Sequence, residues 1–243
     1  MKQVVIMPGG FHPFHAGHYA LYQQAVKAFP GADVYVAATA DTSTRPFPFQ
    51  IKQKLAKLAG VPDDRFVQVK SPFSAQEITA GYDPEDTALI FVRSEKDRNA
   101  VPQPAKRDAQ GNLPLLTRGP RKGQPVSDYL QFYTGPENVE PMTQHAYMAY
   151  LPTVEFGPGM TSATEIRAAW PTLNEKRKTA LVMSLYPKTQ KNPKLATTVV
   201  KMLDTAMGAE VSKTNVVENA DRAVVSALQK NLAQDYLEEK NSR

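Results

Sequence analysis

The chain begins with a short apolar run, residues 3–7, which stops at Pro8-Gly9-Gly10 and passes beyond Phe14 into a stretch with Leu21, Ala25 and Ala28 at helical spacing. A buried strand that turns through glycine into a helix is half of a parallel β-α-β unit, and this restricts the fold more than any other feature of the sequence. The alternation then repeats. A strand is predicted over 32–39, a helix over 49–59, and strands over 65–70 and 87–93. The expected architecture is therefore α/β, a Rossmann-like parallel sheet flanked by helices. A last strand over 150–156 leads through Gly157-Pro158-Gly159 into another helix from Ser162, echoing the first unit.

Residues 99–135, rich in proline and glycine, show little periodicity. A long insertion of that kind is a lid, a binding loop or a disordered segment. Beyond Pro171 the pattern is helical over 175–185, 193–207 and 218–240, the last with Ala220, Val224, Leu228 and Leu232 in register. We therefore expect an α/β domain over 1–172, with a basic loop or lid at 98–135, and a C-terminal helical extension over 173–243 used for packing or for a homo-oligomer contact.

Composition narrows the chemistry. With 243 residues, 42% hydrophobic and 22% charged, the chain can bury a substantial core. No run approaches the roughly 20 apolar residues of a membrane span, and the start is too short for a secretory segment, so a cytoplasmic protein without membrane contact is expected. The absence of cysteine excludes disulfides, thiol nucleophiles and thiolate metal sites. Net charge is +5, and Arg98, Lys106, Arg107, Arg118, Arg121 and Lys122 stand against Asp108 alone between residues 98 and 125. Such a loop suits a polyphosphate, a nucleic acid or simply solvent; a nucleic-acid partner is not expected.

The chain has four histidines, and His12, His15 and His18 fall at the mouth of the first strand and helix. There, Gly9-Gly10-Phe11-His12-Pro13-Phe14-His15-Ala16-Gly17-His18 would sit at the carboxyl edge of the sheet, where open α/β folds bind ligands and a helix N-terminus offers N–H groups to phosphate. His15 and His18, three apart, share a helix face and can contact one triphosphate, while Gly17 lets a nucleotide pack closely. A zinc site is the rival reading. It has little support, since only His145 remains and no histidine pair brackets a glutamate at the spacing such sites use. The metal expected instead is Mg²⁺, bound through nucleotide phosphates rather than through a protein ligand set.

GGFHPFHAGH resembles the G-x-F-x-P-x-H-x-G-H signature of the cytidylyltransferase-like nucleotidyltransferase superfamily, with Gly9, Phe11, Pro13, His15, Gly17 and His18 in matching places. His12 stands where an aspartate is common, which weakens a metal-positioning role there. By the same resemblance Gly10 lines the nucleotide turn. The segment from Gly159 to Arg167 starts a helix with Ser162 and Glu165 as a capping box. It also resembles the superfamily's I-S-S-T-x-I-R motif, with Thr161, Ser162, Thr164, Ile166 and Arg167 in place and Ala163 replacing a serine. The stretches SEKDRN and TEIRAAWPT are similar to nucleotidyltransferases predicted in large tailed bacteriophages.

The resemblance implies that His15, His18 and Arg167 are catalytic, with Gly9, Gly10, Phe11, His12, Gly17, Thr161, Ser162 and Thr164 on the nucleotide. Arg45, Lys54, Arg93, Ser94 and Asp97 are pocket candidates from the helix and strand ends between. The implied reaction moves a nucleoside monophosphate, AMP ahead of CMP, from a nucleoside triphosphate to a small phosphorylated acceptor and releases pyrophosphate. A phosphate acceptor is already ionised near neutral pH, so no side-chain nucleophile is needed. A catalytically silent protein of the same fold, serving in binding or in a virion, is the alternative. A class I aminoacyl-tRNA synthetase fragment would share the His-x-Gly-His logic but lacks a Lys-Met-Ser-Lys-Ser loop.

Overall fold

The computed structural model describes residues 1–42, 46–156, 160 and 162–214, with 209–214 as backbone only. Its strands are β1 (Lys2–Gly9), β2 (Asp33–Ala38), β3 (Phe66–Gln68), β4 (Thr87–Ser94), β5 (Leu130–Phe132) and β6 (Ala146–Leu151). Its α-helices are α1 (Ala16–Ala28), α2 (Phe49–Ala59), α3 (Gln76–Thr79), α4 (Ala163–Ala169), α5 (Glu175–Leu185) and α6 (Pro193–Thr214). The six strands form one sheet in the order β3-β2-β1-β4-β6-β5. All neighbouring pairs are parallel. This is the α/β, Rossmann-like architecture expected, and the order reverses direction between β1 and β4, opening a crevice at their carboxyl ends. Among the described residues no helix is long and apolar enough to cross a membrane.

The sheet is buried on both faces because its central strands carry apolar residues at every position rather than at alternate ones. Val5, Met7, Val36, Ile90 and Val92 face one core together with α1, α2, α5 and α6. Val4, Ile6, Leu89, Phe91 and Met148 face the other, covered by α3 and its flanks.

Two expectations are corrected. The last strand lies at Ala146–Leu151, not at 150–156. Ala146 and Ala149 give a weak strand signal on their own, yet pairing along the length of β4 selects them, and Pro152 ends the strand because it has no N–H to donate. The stretch 99–135 is not structureless: β5 pairs with β6 at its end, and Leu115 and Pro125 close a small antiparallel bridge.

The C-terminal helices are integral to this body. Leu181, Val182, Leu185, Tyr186, Ala196, Val199, Leu203 and Met207 lie in the same core as Phe14 and Ile166. That apolar face of α5 and α6 is therefore buried inside the chain. The helix expected over 218–240 lies outside the described residues. One buried hydrogen bond ties this layer to the histidine turn: the Tyr186 hydroxyl donates to the Phe14 carbonyl at 2.8 Å. Tyr186→Phe withdraws that donor from a buried carbonyl and is expected to cost about 1–3 kcal/mol. Urea unfolding checks this as a lower midpoint with an unchanged slope.

Candidate active site

The chain reverses at the end of β1 through Phe11, whose φ of 54° lies in the left-handed region. Only a turn held by its surroundings tolerates that in a phenylalanine. Gly9 is what makes room. A Cβ there would sit 2.7 Å from the tip of the Phe11 ring. Gly10 follows, half-buried. Phe11 itself is buried and meets His18 edge-on with ring centroids 4.9 Å apart. It forms an apolar floor beneath His18.

His15 is the N-cap of α1, an unusual residue for a position that favours Ser, Thr, Asp or Asn. Its Nδ1 accepts from the backbone N–H of Gly17 at 3.1 Å and of His18 at 3.4 Å. In return, His18 Nδ1 accepts from the backbone N–H of His15 at 3.3 Å. The two imidazoles thus form a reciprocal capping box, and because each Nδ1 is an acceptor, each ring carries its proton on Nε2 when neutral. This corrects one expectation: the Gly17 and His18 N–H groups of α1 are committed to His15 and are not open to a phosphate. What the turn presents instead is imidazole N–H. Among the described residues His15 Nε2 is buried without a hydrogen-bond partner.

Burial holds the His15 imidazole well below its usual pKa, with the charges of His18 and Lys96 acting in the same direction. His18 is pushed down to about 3, again first by desolvation and then by Lys96. Both rings are therefore neutral donors at neutral pH. The unfolded chain takes up protons on these histidines below about pH 6.5 while the folded chain does not, so stability must fall as pH is lowered from there. The melting temperature of the ligand-free protein is expected to drop between pH 7 and 5, and to drop less in a His15→Asn/His18→Gln double variant.

The second motif reaches this turn directly. Ser162 caps α4, its Oγ accepting from the Glu165 N–H at 3.2 Å while Glu165 Oε2 accepts from the Ser162 N–H at 3.0 Å. The Ser162 hydroxyl, expected on the nucleotide, is thus engaged in capping. Arg167, on the last turn of α4, donates through Nη1 to the His12 carbonyl at 2.5 Å and through Nη2 to Thr164 Oγ1 at 3.3 Å. His12 is buried, and its Nδ1 accepts from the Phe47 N–H at 3.4 Å. His12 thereby links the first motif to both α4 and the start of α2. Thr161 and Arg45 lie outside the described residues, as does the turn at 157–159.

The remaining candidates divide. Ser94 is buried at the end of β4, its Oγ sharing a 2.7 Å hydrogen bond with Thr153 Oγ1, and Asp97 follows in the one-turn 3-10 helix Glu95–Asp97. Both stand at the carboxyl edge. Arg93 is corrected: its guanidinium donates to the carbonyls of Ala100, Val101 and Pro102 and lies over the Phe73 ring, anchoring the entry to the long loop on the opposite face. Lys54 is exposed on α2.

Two lysines escaped the sequence reading. Lys52 is fully buried, donating to the Thr39 carbonyl at 2.8 Å just beyond β2. The signal was present: Lys52 shares a helical stripe with Phe49, Leu55, Ala56 and Ala59, the buried face of α2. Lys96, in the turn after β4, is close enough for its charge to depress both histidines. Nothing in its local sequence separates it from any other loop lysine. Gly17 is also explained differently from expectation. A Cβ there would fall 2.4 Å from the Phe156 ring, so the close neighbour of Gly17 in the free protein is a side chain of the chain itself.

Among the described residues, the carboxyl edge of β1 and β4 brings together the His15 and His18 imidazoles, the Arg167 guanidinium and the Lys96 ammonium, with Asp97 beside that lysine and no carboxylate in the capping turn. Such a donor set suits a polyphosphate. Among the described residues no group of three or more His, Asp or Glu is placed to hold a metal ion.

No protein-family model matches this sequence. Nor does any curated protein. Among solved structures, one similar chain is a bifunctional NMN adenylyltransferase/ADP ribose pyrophosphatase from Francisella tularensis, at 13% identity and a TM-score of 0.43. The match covers 85% of this chain and 51% of that one. A second, the same enzyme complexed with AMP and a Mn ion, has 13% identity and a TM-score of 0.40 over 89% of this chain and 56% of its own. This chain spans about half the length of those proteins, and at that level of likeness neither identity nor activity passes from them to it.

Proposed function

We propose that this chain is a nucleotidyltransferase that moves a nucleoside monophosphate, AMP ahead of CMP, from a nucleoside triphosphate to a small phosphorylated acceptor. The reading rests on one observation above the others. Arg167, from the second motif, donates to the carbonyl of His12, in the first, across 155 residues of chain. Two sequence signals that each have a plain structural explanation are thereby joined at one polyphosphate-compatible edge of the sheet.

In the proposed reaction an acceptor phosphate oxygen attacks the α-phosphorus, an O–P bond forms, and the bond to the bridging oxygen breaks as pyrophosphate leaves with its electron pair. Both reactants are anions, so the protein's task is to align them and to meet developing charge with fixed donors. His15 and His18 offer Nε2–H to the phosphates, Arg167 offers its fork to the departing pyrophosphate, and Lys96 and Lys52 supply positive charge at the two sides of the crevice. A divalent cation such as Mg²⁺ fits only as a passenger on the nucleotide's own oxygens, where it would neutralise phosphate charge. Thr164, which accepts from Arg167, orients the guanidinium.

Because each Nδ1 is held as a cap acceptor, the two imidazoles are expected to meet the triphosphate as neutral Nε2–H donors, seen as a calorimetric heat that does not change with the ionisation enthalpy of the buffer. The deciding experiment is pyrophosphate release with Mg²⁺ across ATP, CTP, GTP and UTP, crossed with a panel of phosphorylated acceptors and with His18→Ala as control. Release that requires one nucleotide and one acceptor and vanishes in the variant supports the proposal. No release, and no nucleotide binding by calorimetry, sinks it in favour of a silent protein of the same fold.

A further inference from the structure

Three planar rings are stacked at the mouth of the site. His18 and His15 lie with centroids 3.6 Å apart and planes at 24°, and Phe156 lies on the other side of His15 at 4.1 Å and 23°. Phe156 is buried, and its ring also rests on the backbone of Gly17, so closely that a methyl group there would come within 2.4 Å of one ring carbon and 2.7 Å of another. Independently of that stack, His15 Nε2 is buried and has no hydrogen-bond partner among the described residues. A donor in that condition is costly to keep and useless to a ligand, so the free protein holds its first phosphate donor sealed.

The slot that Phe156 fills is floored by a side-chain-free stretch of backbone and walled by an imidazole, and it adjoins the donors assigned to phosphate. Flat surfaces of that kind hold nucleobases as readily as phenyl rings, because every base presents a π-face. We infer that Phe156 occupies the nucleobase subsite in the free protein, and that the base of the incoming nucleotide replaces it over Gly17 and so uncovers His15. This rests on the nucleotidyl-transfer reading and adds to it a built-in competitor. A ligand that must first displace such a contact binds more weakly by the fraction of time the slot is open. The worth of an aromatic stack puts that reduction at roughly 2- to 10-fold.

The experiment measures binding of α,β-methylene ATP with Mg²⁺ to the whole chain by calorimetry in wild type, Phe156→Ala and His18→Ala, with thermal melts alongside. Phe156→Ala is expected to bind about 2- to 10-fold more tightly than wild type. Affinity at or below wild type in a variant that still melts cooperatively overturns the inference, since it makes Phe156 a wedge or a partner of the base rather than its stand-in. Phe156→Trp keeps a ring in the slot and decides the matter if the alanine variant does not fold. Its emission, corrected for Trp170 with the wild-type signal, should shift to the red as nucleotide expels the indole, and no shift overturns the inference. Wild-type binding that is lost in His18→Ala, without the Phe156 effects, removes this inference alone. No binding in wild type or any variant removes the nucleotidyl-transfer reading and this inference with it.

Discussion

Arg167→Ala is expected to lower pyrophosphate release by about 10³-fold, the largest single effect in the protein. Two contributions are lost together. In the proposed reaction the guanidinium offers a fork of donors to the leaving pyrophosphate, and its Nη1 ties α4 to the His12 carbonyl in the histidine turn. Losing the first removes charge stabilisation in the transition state. Losing the second loosens the relative placement of the two motifs, on which alignment depends. Arg167→Lys retains the charge but has a single point donor, which cannot serve Thr164 Oγ1, the His12 carbonyl and a phosphate at once. It should recover about tenfold of the loss and no more. Activity of Arg167→Ala within tenfold of wild type would remove Arg167 from the reaction and leave it as a tie between motifs.

The second large effect separates two roles that one residue performs. His15→Ala deletes the N-cap of α1, expected to cost about 1 kcal/mol, and deletes an Nε2–H donor, expected to slow turnover by about 10²–10³-fold. His15→Asn restores an acceptor of the right type for the N–H groups of Gly17 and His18 but neither the stacked ring nor its far donor. Stability should return to within about 0.5 kcal/mol of wild type while turnover stays at least 100-fold down. Parallel recovery of stability and activity in the asparagine variant would show that His15 acts only through the helix start. The two readouts, a melting curve and a steady-state rate, are independent, so the outcome is unambiguous.

The long α/β signals were legible because they are local. A helix such as α2 was placed at its bounds from periodicity alone, and both faces of β1 and β4 are apolar in a way that only a covered parallel strand requires. The two motifs were legible as residues. Their partners were not. Ser162 and the start of α1 were expected to offer a hydroxyl and open N–H groups to phosphate; in the structure Ser162 Oγ and His15 Nδ1 accept the cap hydrogen bonds, which satisfies helix ends that are costly to leave open. Arg93 and Lys54 were chosen for charge and proximity in sequence. A strand turns Arg93 to the far face and a helix turns Lys54 to solvent, while two residues away the same helix buries Lys52. In each of these cases the side-chain direction followed from a period of two or of 3.6 residues, which decides facing before chemistry does.

By itself the sequence determined the class of fold, the strands and the longer helices up to β4 but not the one-turn α3, the histidine turn and the helix start that ends in Arg167, because propensity, periodicity and capping are set by neighbours in the chain. Tertiary structure alone decided that β6 is the alanine-bearing stretch beside β4, that β5 forms at all, and that Arg167 reaches His12. It also decided that Phe156 lies on Gly17 and that Tyr186 locks the C-terminal layer to Phe14. These are contacts between residues far apart in the chain. Their free energy comes from burial and hydrogen bonding that exist only once the sheet has formed, so no local pattern could carry them.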